Sequence, residues 1–241
     1  MGKKGKIISI ICCLCIIFIL LFGLFIINID YDDYVLDIDI ENNNNVNNPI
    51  NYEEIVEGLR RQYNNDDVVG ILEINNTDYV VPIMQGDDND YYLNHTPDGN
   101  YNFMGSIYLD YRVDIDSSKK LLIYGHNSSN IDMPFKILEE FYDKEFYDNH
   151  KYIEITTSTM KKKYEIFSVH IETNDFSYMN INFDDDIDYL SHIEKLKSRS
   201  IYDTGVEIDS DDEILILQTC STHSDYQRYS KKYLLIILRR V

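Results

Sequence analysis

Ile214-Leu215-Ile216-Leu217 runs without a break into Gln218-Thr219-Cys220-Ser221-Thr222. Four consecutive aliphatic residues bounded by polar ones read as a short, strongly apolar strand, and the polar stretch marks where that strand runs out. Working outward, β-rich runs of the same kind recur at residues 68–74, 79–84, 105–109, 121–124, 152–156, 164–171 and 233–238. The first two are separated by Asn75-Asn76-Thr77-Asp78, a hairpin signature. Helical spacing appears at Tyr52, Ile55, Val56, Leu59 and Tyr63, again over residues 133–147 as one or two short helices, and over residues 187–197. Short strands with few prolines and no strand–helix alternation predict a mainly β fold. The expected form is a closed, antiparallel barrel of about eight strands with an N-terminal helix and inserted peripheral helices.

The chain has 241 residues, with 42 acidic and 22 basic side chains and a formal net charge of −20. That length holds one ordinary domain plus something extra. The extra part is residues 7–29, an uncharged run holding Cys12, Cys13 and Cys15. As a helix it spans roughly 35 Å, enough for a hydrocarbon core of ~30 Å. A secretory signal has a shorter apolar region and a small-residue cleavage site. Phe25-Ile26-Ile27-Asn28-Ile29-Asp30 offers none, so a retained anchor is expected. Lys3, Lys4 and Lys6 precede the run, and Asp30, Asp32 and Asp33 follow it. The positive-inside rule then predicts a single-pass type II protein of the cell membrane. Its parts would be a cytoplasmic tail (1–6), a transmembrane helix (7–29), a flexible Asn/Asp-rich stalk (30–50) and an extracellular domain (51–241). Every acidic residue follows the apolar run. Such a body repels phosphate backbones, which argues against nucleic acid as a partner.

Cys220 is the one cysteine of the expected exported body. Exported cysteines normally pair, so a lone one is either a buried structural thiol or a reactive group. At the end of a rigid strand it is held in place yet reachable. A thiol nucleophile needs a partner that takes its proton, usually histidine. Of six histidines, His150 and His192 sit in helical, charge-rich surroundings and read as solvated. His170 falls within a strand pattern, and His223 is too close to Cys220 in sequence to face it easily. His126 differs, because it follows the apolar strand Leu121-Leu122-Ile123-Tyr124 and Gly125, and so stands at a strand end as Cys220 does. A fixed cation for a tetrahedral oxyanion would complete the set, and Arg228 lies eight residues after Cys220. The clusters Asp184-Asp185-Asp186 and Asp209-Ser210-Asp211-Asp212-Glu213 lack calcium-loop spacing and its glycine, and read as solvated loops. Neither a metal nor a cofactor is expected.

Taken together, Leu217-Gln218-Thr219-Cys220, Arg228 and the upstream Tyr124-Gly125-His126-Asn127 resemble the sortases, cysteine transpeptidases of Gram-positive surfaces. The wider pattern resembles class B. It includes Val69-Gly70-Ile71-Leu72, Asp88-Asn89-Asp90-Tyr91-Tyr92-Leu93-Asn94-His95, Gly105-Ser106-Ile107-Tyr108-Leu109-Asp110 and Tyr164-Glu165-Ile166-Phe167-Ser168-Val169. The resemblance implies a sortase-like barrel in which Cys220 attacks a C-terminal sorting signal after Thr and forms a thioacyl-enzyme. A cell-wall peptide amine or a pilin lysine then takes the protein. His126 would be the general acid and base and Arg228 the oxyanion cation, with Asn94, Thr219 and Ser221 contacting substrate. Signals of the Asn-Pro-x-Thr or Ser-Pro-x-Thr kind are the family expectation. In the family the arginine commonly stands immediately before the last apolar strand, where this chain has Lys232. An alternation Arg228, Ser230, Lys232, Leu234 would place both cations on one strand face. The alternatives from other classes are a tethered sortase-like binding module without activity, and a cysteine peptidase that hands the acyl group to water.

Overall fold

The computed structural model describes residues 50–241, so the expected tail, the apolar run and all but the last residue of the stalk lie outside the described residues. Tyr52–Tyr63 forms helix α1. It is capped by Asn51, whose side chain accepts the Glu54 N–H at 3.3 Å. It stops at Asn64, which takes the left-handed conformation at φ 50°. Val56, Leu59 and Tyr63 are its buried stripe.

The strands are β1 (Val68–Ile74), β2 (Val80–Met84), β3 (Tyr108–Leu109), β4 (Lys120–Tyr124), β5 (Tyr152–Thr157), β6 (Lys161–Glu172), β7 (Ile214–Cys220) and β8 (Tyr233–Arg240). They close into a barrel in the order β1-β2-β3-β4-β7-β8-β6-β5. The eight expected strands are present, but the sheet is not wholly antiparallel. β2 and β3 pair in parallel, and so do β4 and β7. Alternation within a strand reports which side chains share a face and carries no information on the direction of its neighbour. The β4–β7 pair needs a long crossover, and the β5–β6 hairpin and the inserted helices supply it.

The expected helical stretch at 133–147 is divided. A 3-10 segment, Lys136–Tyr142, is followed by helix α2 (Lys144–Asn149), whose cap Asp143 accepts N–H groups from Glu145 and Phe146. Helix α3 (Asp186–Lys197) begins at Asp185, which accepts the Asp188 N–H at 2.8 Å. One acidic cluster is therefore a helix start.

Leu122, Tyr124, Ile214, Ile216, Leu235 and Ile237 share a buried cluster with Val56 and Leu59 of α1 and with Tyr189, Ile193 and Leu196 of α3. Helices lie outside a closed barrel, so these residues form its outer face. The alternate set, Leu121, Ile123, Leu215, Leu217, Leu234 and Ile236, is fully buried and fills the interior. By the same alternation Gln218 and Cys220 continue the outer face, beyond the point where it is covered.

Candidate active site

The parallel β4–β7 register brings the two candidate strand ends together. The last ladder pair is Tyr124 with Gln218. One backbone bond extends it, from Gly125 N–H to Gln218 O at 3.2 Å. The Thr219 hydroxyl adds a tie to Gly125 O at 2.8 Å. Two further steps along this register set His126 opposite Cys220. Adjacent strands lie about 4.8 Å apart, and residues in parallel register share a face. Beyond the pair, Asn127 Nδ2–H donates to Cys220 O at 3.0 Å.

The His126 ring is oriented by a backbone group. Its Nε2 lies 2.8 Å from Leu93 O. A carbonyl oxygen can only accept, so Nε2 carries the proton and Nδ1 is left to take or give one. Two glycines make this placement feasible. Gly105 has φ +64°, and a Cβ there would come within 2.5 Å of Leu93 O. A Cβ on Gly125 would meet the buried Phe135 ring at 2.7 Å, while Phe135 N–H holds His126 O at 2.9 Å. Larger residues at either position would displace the histidine or its carbonyl partner.

Cys220 is an exposed residue. Desolvation by the protein around its sulfur nevertheless raises the thiol above its ordinary value, and the Lys232 ammonium pulls it down. The net direction is a rise, which favours the thiol over the thiolate, so a base beside the sulfur assists its attack. Residues 228–232 do not continue β8, which starts at Tyr233. The expected strand alternation of the two cations is therefore absent. The Lys232 backbone is held beside the thiol, its carbonyl accepting the Ser221 N–H at 2.9 Å next to the paired Cys220 and Tyr233, while its Nζ donates to Tyr229 O at 3.4 Å. Arg228 is exposed. Its guanidinium lies over the Tyr229 ring at 4.9 Å and donates to the Tyr229 hydroxyl at 3.0 Å.

Thr219 and Ser221 do not fit a substrate-contacting role. Thr219 is fully buried with its hydroxyl committed to Gly125 O, because residues flanking Cys220 turn to the opposite face. Ser221 is buried and accepts the His223 N–H at 3.1 Å. Asn94 is half-buried, one residue after Leu93, with its carbonyl taken by Asn102 N–H at 2.9 Å. His192 is not solvated. It is buried, 2.8 Å from Lys120 Nζ, and burial followed by the lysine charge pulls its imidazole down to about 3. His170 is buried as well, its ring on the Ser168 hydroxyl at 3.0 Å.

Three contributors left no signal in the chain. Leu93 acts through its carbonyl, which no side-chain motif announces. Tyr178 donates to Gln218 Oε1 at 2.8 Å, on the face that carries Cys220. Glu139 Oε1 accepts from Asn127 Nδ2 at 3.1 Å and from Thr222 N–H at 2.5 Å.

This geometry agrees with what the chain is similar to. Residues 72–237 match the sortase domain family. Sortase B of Listeria monocytogenes is 36% identical over 165 residues, covering 68% of this chain and 67% of that protein. Among solved structures, a Staphylococcus aureus sortase B–substrate complex superposes with a TM-score of 0.69 at 27% identity, over 77% of this chain and 84% of that one. Sortase B from Listeria monocytogenes superposes with a TM-score of 0.65 at 31% identity, over 77% and 99%. With the thiol, the imidazole and the mixed eight-stranded barrel in place, the chain belongs to class B of the sortase family of cysteine transpeptidases.

Proposed function

We propose that this chain cleaves a C-terminal sorting signal after Thr and transfers the acylated protein to a cell-wall peptide amine or a pilin lysine. The observation that carries the assignment of the reacting pair is the β4–β7 register, which sets His126 opposite Cys220 with Nδ1 free. In the first half-reaction the Cys220 thiol passes its proton to Nδ1 and the sulfur attacks the Thr carbonyl carbon. The imidazolium then protonates the departing amine as the C–N bond breaks, leaving a thioester. In the second half-reaction Nδ1 takes a proton from the incoming amine, which attacks the thioester. The sulfur leaves and regains a proton. The tetrahedral oxyanion of both steps needs a cation, and we assign that to the planar fork of Arg228. Swinging away breaks its contact with the half-buried Tyr229 ring, worth about 0.5–1 kcal/mol, and its bond to the Tyr229 hydroxyl. Lys232 supplies a standing field at the sulfur. Asn94, beside the histidine's carbonyl partner, is the residue we expect to meet the peptide. The domain works outside the cell on a type II anchor formed by residues 7–29, and substrates are surface proteins with signals of the Asn-Pro-x-Thr or Ser-Pro-x-Thr kind.

A quenched fluorescent sorting-signal peptide tests this. Wild-type protein should release the fluorophore and, with triglycine added, form a new amide product. Cys220→Ala and His126→Ala should each abolish release with the barrel still folded by circular dichroism. Near-wild-type turnover by either variant would remove the assignment. Release with no triglycine adduct would make water the acceptor and the protein a peptidase.

A further inference from the structure

Past Tyr124 and Gln218 the β4–β7 ladder has one backbone bond left, so side chains must hold the two catalytic strand ends. Besides the Thr219 hydroxyl on Gly125 O, they do so through a residue on neither strand. Glu139, on the 3-10 segment Lys136–Tyr142, uses a single oxygen, Oε1. That oxygen accepts the Asn127 carboxamide at 3.1 Å and the Thr222 N–H at 2.5 Å. Asn127 Nδ2 also donates to Cys220 O at 3.0 Å. An amide nitrogen has two N–H groups, and both are spent. Its own oxygen, Oδ1, is buried without a hydrogen-bond partner. An unpaired buried acceptor costs stability and offsets what the two donated bonds contribute, so the fold alone does not account for this side chain. What it does instead is bind the carbonyl of the nucleophile from the residue next to the acid–base histidine.

We infer that Asn127 and Glu139 form a positioning clamp that sets the separation of Cys220 Sγ and His126 Nδ1. This rests on the reading of those two residues as the reacting pair. Proton transfer requires heavy atoms at about 2.6–3.2 Å, and a misplacement of about 1 Å costs roughly a hundredfold. Neither residue touches substrate or the transferred proton. Their effect falls on the chemical step and not on peptide binding.

The test uses the full-length protein and the quenched peptide. Asn127→Ala should lower kcat by about 10- to 100-fold with KM within about threefold. Its Tm should change little, because the two lost hydrogen bonds and the removed orphaned acceptor offset one another. Glu139→Gln keeps an acceptor oxygen and should hold kcat within about threefold, whereas Glu139→Ala should match Asn127→Ala. The double alanine variant should be no worse than either single one, as expected of residues acting as a unit. Hydrogen exchange at the Thr222 amide, which needs no substrate, should quicken in Glu139→Ala and not in Glu139→Gln. Wild-type kcat in Asn127→Ala, kcat and Tm falling in step, or unchanged Thr222 protection in Glu139→Ala would each overturn the clamp while leaving the reacting pair intact. A wild-type protein that released no fluorophore would instead overturn the pair, and with it the purpose of the clamp.

Discussion

At Cys220 desolvation and charge pull in opposite directions, and Lys232 and Arg228 are separable because they are assigned to different states. Lys232 lowers the resting thiol, so Lys232→Ala should move the pH midpoint of iodoacetamide alkylation upward. The same variant should reduce kcat/KM at neutral pH by about tenfold at most, through a smaller thiolate fraction. Arg228 is assigned to an oxyanion that exists only during reaction. Arg228→Ala should leave the alkylation midpoint in place and lower kcat/KM by about two to three orders of magnitude. The reverse ranking would give both roles to Lys232. At this scale Cys220 and His126 were legible, since each stands where an apolar run gives out. Thr219 and Ser221, expected to contact substrate, are both buried, and strand alternation turns Thr219 inward. Glu139 and the Leu93 carbonyl were invisible, because their partners are Thr222 and Asn127 for the one and His126 for the other, across folds of chain no local pattern spans.

Among the elements, β4 carries more than its end. Its first residue, Lys120, is buried, and Nζ donates to Tyr178 O and Asn180 O at 2.7 Å each and to His192 Nε2 at 2.8 Å. It thereby anchors the 3-10 segment Phe176–Met179, whose Tyr178 holds Gln218 two residues before the thiol. Burial, with a smaller push from the Arg112 charge, pulls the Lys120 ammonium down to about 7. The folded value lies below the unfolded one of about 10.4. Between those values the unfolded chain binds the proton and the native one does not, so stability rises with pH through the window. The native state carries the full cost below it. The slope from this group is at most about 1.4 kcal/mol per pH unit. Lys120→Met lacks it, so the gap, taken as wild-type stability minus that of the variant in urea unfolding, should move in favour of wild type as pH rises from about 7 toward 10. A gap constant over that range would mean that the lysine keeps an ordinary proton affinity in the fold. The strands and helices were legible because period 2 and period 3.6 are written in side-chain order. The parallel pairing that creates the site was not, since direction belongs to the connection and not to the strand.

For the molecule as a whole, the distribution of charge carries more than its total. The chain totals −20, yet its first six residues hold three lysines and no acid, and all 42 acidic residues come after residue 29. On the positive-inside rule, lysines next to a span fix its orientation and acids contribute little, so in the proposed topology those three side chains decide which way the catalytic domain faces. An enzyme whose proposed substrates and amine acceptors lie on the outer surface can act only if the domain is delivered there. Protease added to intact cells should therefore digest the protein from about residue 30 onward, while an epitope tag ahead of Met1 survives until the membrane is permeabilised. Replacing Lys3, Lys4 and Lys6 with Glu and placing lysines at Asp30, Asp32 and Asp33 should invert the pattern and leave sorting inactive in cells, although the purified variant still cleaves the peptide. Protection of the whole domain in intact cells would refute the type II topology. Loss of the N-terminal tag from the mature protein would show that residues 7–29 serve as a cleaved signal.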